Sequence, residues 1–167
     1  MVCRFAHGMS KECNIFLAFT PYHILLAYSI AAKRQLPGVR NILFIISEFP
    51  EADTFADSLR MSKKNVFSDV VLLQGEYRKR SVFVKIGMRK KNAALIRDFI
   101  KKHHIHAVFV GNDQRVEAQA ALYYAKKMWR QSKGVYVEDG TVAYPFAVPK
   151  KSMIRVLFGR IIFGSWW

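Results

Sequence analysis

Short apolar runs that alternate with helix-like segments constrain the fold of this chain more than any other feature. Five of these runs have the length and composition of buried strands: residues 14–19, 41–47, 69–73, 106–111 and 134–138. A strand that is apolar along its whole length is typical of a parallel sheet that is covered on both faces. The pattern therefore predicts an α/β fold, a Rossmann-like open, doubly wound parallel sheet of about five strands with helices on both faces.

Capping signals and apolar spacing predict helices between these strands. Thr20 is a good N-cap and Pro21 suits the first helical position, so we expect a helix over residues 22–34. Further helices are expected over residues 50–62, 88–102, 115–131 and 151–163. Asn112 or Asp113 is the expected N-cap of the helix over 115–131.

Length and composition favour one globular domain. The chain has 167 residues, of which 51% are hydrophobic, and this excludes a disordered chain. We divide it into an uncertain leader (1–13), a Rossmann-like domain (14–150) and a basic apolar helix that begins a linker (151–167). Cys3 and Cys13 match no metal-site spacing and make no disulfide scaffold, so a reducing, cytoplasmic compartment is expected. No apolar stretch reaches the roughly 18 residues of a membrane span.

The charge of the chain points to an anionic partner. Lys and Arg number 27 against 12 Asp and Glu, which gives a formal net charge of +15. Ten of the basic residues and one acid lie within residues 77–106. Nucleic acid, the inner face of a membrane and an acidic polysaccharide are possible partners, and a solvated charged face is the alternative. The absence of an aromatic RNA-binding motif and of a helix-turn-helix pattern makes nucleic acid the least favoured partner.

Polar residues follow the expected strands, and ligands bind beyond the carboxyl ends of the strands in an open parallel sheet. The clusters that fall there are residues 20–23, 47–48, 111–115 and 138–141. From them we select as candidate substrate-binding residues Thr20, Pro21, Tyr22, His23, Asn112, Asp113, Arg115, Gly140 and Thr141.

The last of these clusters contains two adjacent acids, Glu138 and Asp139, followed by Gly140. A carboxylate in a partly dry cleft has a raised pKa and can serve as a general base, and the glycine allows a sharp turn or a close approach to a ligand. The alternative is a plain turn at the end of a strand, with one acid capping a backbone amide.

The other candidate groups also have a structural interpretation beside the functional one. In the functional interpretation, the free backbone amides at the start of the helix that follows Gly111 hold an anion together with Arg115. In the structural interpretation, the loop is only an Asn or Asp cap of that helix. Glu117 complements the helix dipole. His23 is either a structural histidine or a ligand-edge residue. The three histidines at 103, 104 and 106 have no Cys or acid at metal-site spacing, so we expect a solvated surface and no metal site.

Three blocks of the sequence resemble bacterial sialyltransferases. They are NIFLAFTPYHILLA, VFVGNDQRVEAQAALYYAKK and GVYVEDGTVAY. The most similar groups are the capsule polysialyltransferase-like proteins and the lipooligosaccharide sialyltransferases, and the resemblance covers residues 14–167. Its most specific part is the acid-acid-glycine motif, which matches Glu138, Asp139 and Gly140.

The resemblance implies the N-terminal domain of a GT-B glycosyltransferase, with two Rossmann-like domains that face each other across a cleft. The implied activity is an inverting transfer of sialic acid from CMP-sialic acid to a cell-surface glycan acceptor, with Glu138 or Asp139 as the base and neither a metal nor a cofactor. An anionic glycan acceptor, the CMP-sugar donor and peripheral contact with the inner membrane are the implied partners.

The sequence departs from the family in one respect. The family's C-terminal domain binds the CMP-sugar and carries a His-Pro motif, and none of the five histidines here is followed by proline. We therefore expect an acceptor-side half that is inactive alone. Two alternatives stay open: a non-catalytic Rossmann-like module that binds polyanions or nucleotides, and a truncated relic.

Overall fold

Strand and helix alternate along the chain in the computed structural model, which describes residues 12–75 and 81–137. The strands are β1 (Cys13–Ala18), β2 (Arg40–Ser47), β3 (Asp69–Gln74), β4 (Ile105–Val110) and β5 (Lys133–Tyr136). The helices between them are α1 (Pro21–Lys33), α2 (Ala52–Met61), α3 (Val82–Lys102) and α4 (Val116–Met128). Within these two ranges, no helix is long and apolar enough to cross a bilayer.

The strands form one sheet in the order β3-β2-β1-β4-β5, and every neighbouring pair is parallel. The chain moves outward from β1 to β3, crosses back through α3 to β4 on the other side of β1, and ends at β5. This confirms the predicted Rossmann-like open sheet. The strand order reverses between β1 and β4, and such a switch point is where open α/β sheets bind ligands.

Two apolar cores lie on the opposite faces of this sheet. Successive residues of a strand point to opposite faces, so Phe16 packs with α1 and α2 while Ile15 and Leu17 pack with α3 and α4. Phe16 stacks on Phe109 of β4, with 4.4 Å between the ring centroids. Because both faces are covered, β1 is buried along its whole length, which explains its continuous apolar sequence.

The first helix begins as the sequence predicts. Thr20 is the N-cap, its hydroxyl accepts a hydrogen bond from the backbone N–H of His23 at 3.2 Å, and Pro21 is the first helical residue. This arrangement uses a donor that the helix itself leaves unpaired, while proline removes another. The start of α1 is therefore fixed by local chemistry at the carboxyl end of β1.

The sequence prediction for the start of α3 is wrong. The helix begins at Val82 and not at residue 88, because the hydroxyl of Ser81 accepts from the N–H of Val84 at 3.4 Å and caps an earlier turn. Gly87 lies within this helix, where one glycine costs only about 1 kcal/mol relative to alanine. The apolar spacing of this segment includes Leu95, but Leu95 is exposed in the structure and Asn92 is buried.

The start of α4 is also corrected. Arg115 is in the N-cap position of a helix over Val116–Met128, so neither Asn112 nor Asp113 is the cap. The side chain of Asn112 accepts from the N–H of Gln114 at 2.9 Å, a local turn that forms before the helix begins.

The sheet begins at the boundary of the expected leader, because Cys13 is the first residue of β1 and is fully buried. Several expectations fall outside the described residues. These concern Cys3, the pair Glu138 and Asp139, the adjoining Gly140 and Thr141, and the helix over 151–163.

Candidate functional site

The switch point brings together two segments that are far apart in sequence. The start of α1 follows β1, and the loop that precedes α4 follows β4, which is paired directly with β1. The sequence predicted that His23 and the residues after Gly111 share one sheet edge. The structure places Gly111, at the start of that loop, directly beside His23.

His23 is a buried part of this edge, with 7% of its surface exposed. Its Nδ1 accepts a hydrogen bond from the backbone N–H of Phe19 at 3.2 Å. An imidazole nitrogen that accepts carries no hydrogen, so in the neutral ring the hydrogen lies on Nε2. The hydrogen bond therefore fixes both the tautomer and the direction of the ring.

Gly111 gives this imidazole its space. A Cβ built at position 111 would lie 2.8 Å from Nε2 of His23 and 3.1 Å from its Cδ2. Both residues line a cavity of about 10 Å³, together with Val137 and apolar side chains of β1, α1 and β4. A cavity of this size is on the limit for one water molecule.

Arg115 has a partner within the protein. Its Nη2 lies 2.8 Å from Oε2 of Glu48 and its Nη1 donates to Oε1 at 3.1 Å, so the guanidinium and the carboxylate form a two-point pair. The guanidinium also lies 5.5 Å from the centre of the Phe19 ring. The side chain of Glu48 is only 14% exposed. Arg115 thus links the ends of β1, β2 and β4, and its charge is balanced by Glu48.

The remaining candidates in the described residues differ in what they offer to a ligand. Thr20 uses its hydroxyl oxygen as the helix cap, and Asn112 uses its side-chain oxygen in the turn. Pro21 and Asp113 are exposed. Tyr22 is 49% exposed on the first turn of α1. Tyr22 therefore presents a half-exposed ring beside the switch point.

A buried polar network near this edge was missed by the sequence analysis. Asn92 of α3 donates through Nδ2 to the backbone oxygen of Gln74 at 2.7 Å and to Oε1 of Glu117 at 3.0 Å. Asn92 and Glu117 are each 1% exposed. Glu117 was assigned to the helix dipole alone, and no local signal indicated that Asn92 would be buried beside it. The network joins three elements: the end of β3, the middle of α3 and the first turn of α4.

The acid pair follows this edge in sequence. Val137 is the last described residue before it, and the N–H of Val137 donates to the backbone oxygen of Val110 at 2.8 Å. Val137 also lines the cavity beside His23 and Gly111. Glu138 and Asp139 come next in the chain, outside the described residues.

The histidine cluster lies at the opposite, amino edge and is half-buried, not the solvated surface that the sequence suggested. Glu12 contacts two members, with Oε1 3.2 Å from Nδ1 of His104 and Oε2 3.1 Å from Nδ1 of His106. Nη2 of Arg40 lies 3.1 Å from Nδ1 of His103. Burial, then the charges of Arg40 and Lys102, lower the pKa of His103 from its usual value. Within residues 12–75 and 81–137, no grouping of these side chains is suited to hold a metal ion.

Comparisons with known proteins identify no relative of this chain. No family model matches it, and neither a curated protein nor a solved structure shows a significant match.

Proposed function

We propose that this chain is the acceptor-side domain of an inverting, sialyltransferase-like glycosyltransferase. It would contribute the base for the transfer of sialic acid from a CMP-sugar to a cell-surface glycan. The observation that carries the proposal is the convergence of His23, Gly111 and Val137 at the switch point, because Val137 leads directly into Glu138 and Asp139. The resemblance of three sequence blocks to bacterial sialyltransferases supports the same assignment.

In the proposed reaction, an acceptor hydroxyl attacks the anomeric carbon of the sugar as CMP departs from the opposite face, so the configuration inverts. Glu138 or Asp139 takes the proton of that hydroxyl. A positioned base contributes about 10²–10⁴-fold to the rate. Two adjacent acids can couple in their titration, so the proton is assigned to the pair and not to one member.

The charge balance at the switch point favours recognition of a glycan through its hydroxyl groups and not through its negative charge. Arg115 is paired at two points with Glu48, and a polyanion would have to compete with that carboxylate. Small-molecule sites are lined by aromatic side chains and a few polar groups, and Tyr22 supplies a half-exposed ring on the first turn of α1. Tyr22 is therefore the proposed platform for a sugar ring.

The proposal is tested by titrating the full chain, labelled with ¹⁵N, with lactose, with a short sialic acid oligomer and with CMP. We expect an oligosaccharide to shift the amide resonances of Tyr22, Gly111 and Asn112, and CMP to shift none of them, because donor binding is assigned to a second domain. Glu138→Gln and Asp139→Asn should leave oligosaccharide binding unchanged, since a base is not a main source of affinity.

Tyr22→Ala should weaken the oligosaccharide binding, while Tyr136→Ala, which removes another exposed tyrosine, should not. Binding of CMP without any binding of oligosaccharide would overturn the proposal in favour of a nucleotide-binding module. The absence of shifts with all three probes would also overturn it.

A further inference from the structure

The first ten residues of α3, here called the α3 tip (residues 82–91), precede the first buried residue of the helix, and within them Met88 packs against the core. Asn92 bonds to the backbone oxygen of Gln74, the last residue of β3, so the helix is level with the carboxyl edge of the sheet at that point. Ten helical residues before Asn92 span about 15 Å. The buried residues of α3 are Asn92, Ala93, Ile96 and Ile100, all of which follow the tip.

The α3 tip exposes three consecutive apolar side chains. Val82 is 65% exposed, Phe83 is 86% exposed and Val84 is 46% exposed. Fully burying a side chain of this kind contributes about 1.5–3 kcal/mol, and these residues, Phe83 above all, gain only part of it within the described fold. An exposed apolar patch of this kind at the start of a helix is suited to a partner that is itself apolar.

The same segment is strongly basic. Lys85, Arg89, Lys90 and Lys91 lie within it, and it contains no acid. Arg78, Lys79 and Arg80 precede it in sequence. Lys85 lies close to the helix N-terminus, where a cation opposes the helix dipole, and no acid within the tip offsets the four cations. A surface of one charge sign is suited to an anionic partner.

Apolar and basic residues share the outward side of the helix. Phe83 and Lys90 are seven residues apart, as are Val84 and Lys91, and residues with this spacing lie on one face. All four are exposed. Apolar side chains with neighbouring cations on one helix face match a bilayer surface with acidic headgroups, where the apolar groups enter the acyl boundary and the cations meet phosphates.

We propose that the α3 tip docks on an anionic membrane surface, with Phe83 as its apolar anchor. A polyanion such as RNA fits the cations but not the valines, which have no flat face on which a base could stack. The proposal deepens the partner that the family resemblance implies, the inner membrane, by naming the segment that contacts it. It is argued from the exposure and charge of the tip and does not depend on the glycosyltransferase assignment.

The test measures co-sedimentation of the full chain with vesicles of phosphatidylcholine, with and without about a third phosphatidylglycerol. We expect binding to the anionic vesicles, and Phe83→Ser should weaken it about 10-fold. Replacing Lys90 and Lys91 by Gln should weaken it by about 10-fold or more. RNA binding is measured in parallel.

Two control variants match these changes elsewhere on the surface. Met61→Ser removes an apolar side chain that is 82% exposed on α2, and Lys63→Gln with Lys64→Gln removes two exposed charges. Both should bind vesicles as the native chain does, and circular dichroism should show all variants folded. The proposal would be overturned if the chain bound neutral vesicles as well as anionic ones, or if it bound neither. It would also be overturned if the control variants lost as much vesicle binding as the tip variants. Tip variants that impair RNA binding but leave vesicle binding intact would overturn it as well.

Discussion

Gly111 lies against the imidazole of His23, with 2.8 Å between the position of a Cβ at residue 111 and Nε2 of the ring. The ring is fixed in turn by the N–H of Phe19, which donates to Nδ1. This packing joins the start of α1 to the end of β4, so the geometry of the switch point depends on the absence of a side chain at position 111.

We predict that Gly111→Ala destabilises the protein by about 1–3 kcal/mol, the usual cost of overpacking a core. The new methyl group would force the His23 ring from its place and weaken its hydrogen bond to Phe19. The free energy of unfolding in urea measures this effect, and the histidine ring resonances report the displacement.

The control for this prediction is Gly87→Ala. A Cβ at Gly87, within α3, would meet nothing within 4 Å. There the substitution should stabilise the protein by up to about 1 kcal/mol, because alanine has the higher helix propensity. If both substitutions had the same effect, crowding at His23 would not be the cause.

The pair of Arg115 and Glu48 should show a larger coupling energy than an exposed pair with the same separation. We expect about 1–2 kcal/mol in a double-mutant cycle with alanine, because removing the cation leaves the carboxylate of Glu48 desolvated. The comparison is Arg60 and Asp57, also 2.8 Å apart but 43% and 58% exposed, where about 0.5 kcal/mol is expected. Equal coupling in the two cycles would show that burial adds nothing to the Glu48 pair.

Asn92→Asp should make stability depend strongly on pH. The new carboxyl would lie about 3 Å from Oε1 of Glu117, and two carboxylates at that distance cannot both ionise easily, so one folded pKa rises above its unfolded value. The variant should therefore be most stable below that unfolded pKa and lose stability as the pH rises. Thermal unfolding at about pH 5 and about pH 8 measures the difference. Asn112→Asp, at the surface turn, should show little of this trend.

Protonation of His103 should lower the free energy of unfolding of the native protein in mild acid. Its folded pKa is depressed below 6.5 by burial and by the charges of Arg40 and Lys102. Arg40 can only donate, so its contact with Nδ1 requires that nitrogen to be unprotonated. The unfolded chain therefore binds the proton first, and stability falls as the pH drops through 6.5 toward the folded pKa.

We expect His103→Gln to reduce this loss, measured as the shift in melting temperature across that pH range. His106→Gln, which changes a histidine beside Glu12 and not beside Arg40, is the comparison. A pH dependence that His103→Gln leaves unchanged would contradict the assignment.

The sequence was sufficient to predict the strands and the first helix. The interactions that form them are either local or averaged over many residues. Continuous apolar runs require two covered faces, and Thr20 followed by Pro21 sets the start of α1 through hydrogen bonds within one turn. The start of α3 was mispredicted because the cap formed by Ser81 was overlooked. At α4 the cap was mispredicted, because Asn112 closes a local turn before the helix and leaves Arg115 in the N-cap position.

The sequence by itself determined that polar residues would gather at one edge of a parallel sheet, since that follows from the order of strands and helices. The partners of those residues were decided by the tertiary structure. Arg115 meets Glu48, 67 positions away, and Asn92 meets Glu117, 25 positions away. Such pairs depend on distances across the sheet and between helices, and a buried charge or amide takes whatever partner the packing places within about 3 Å.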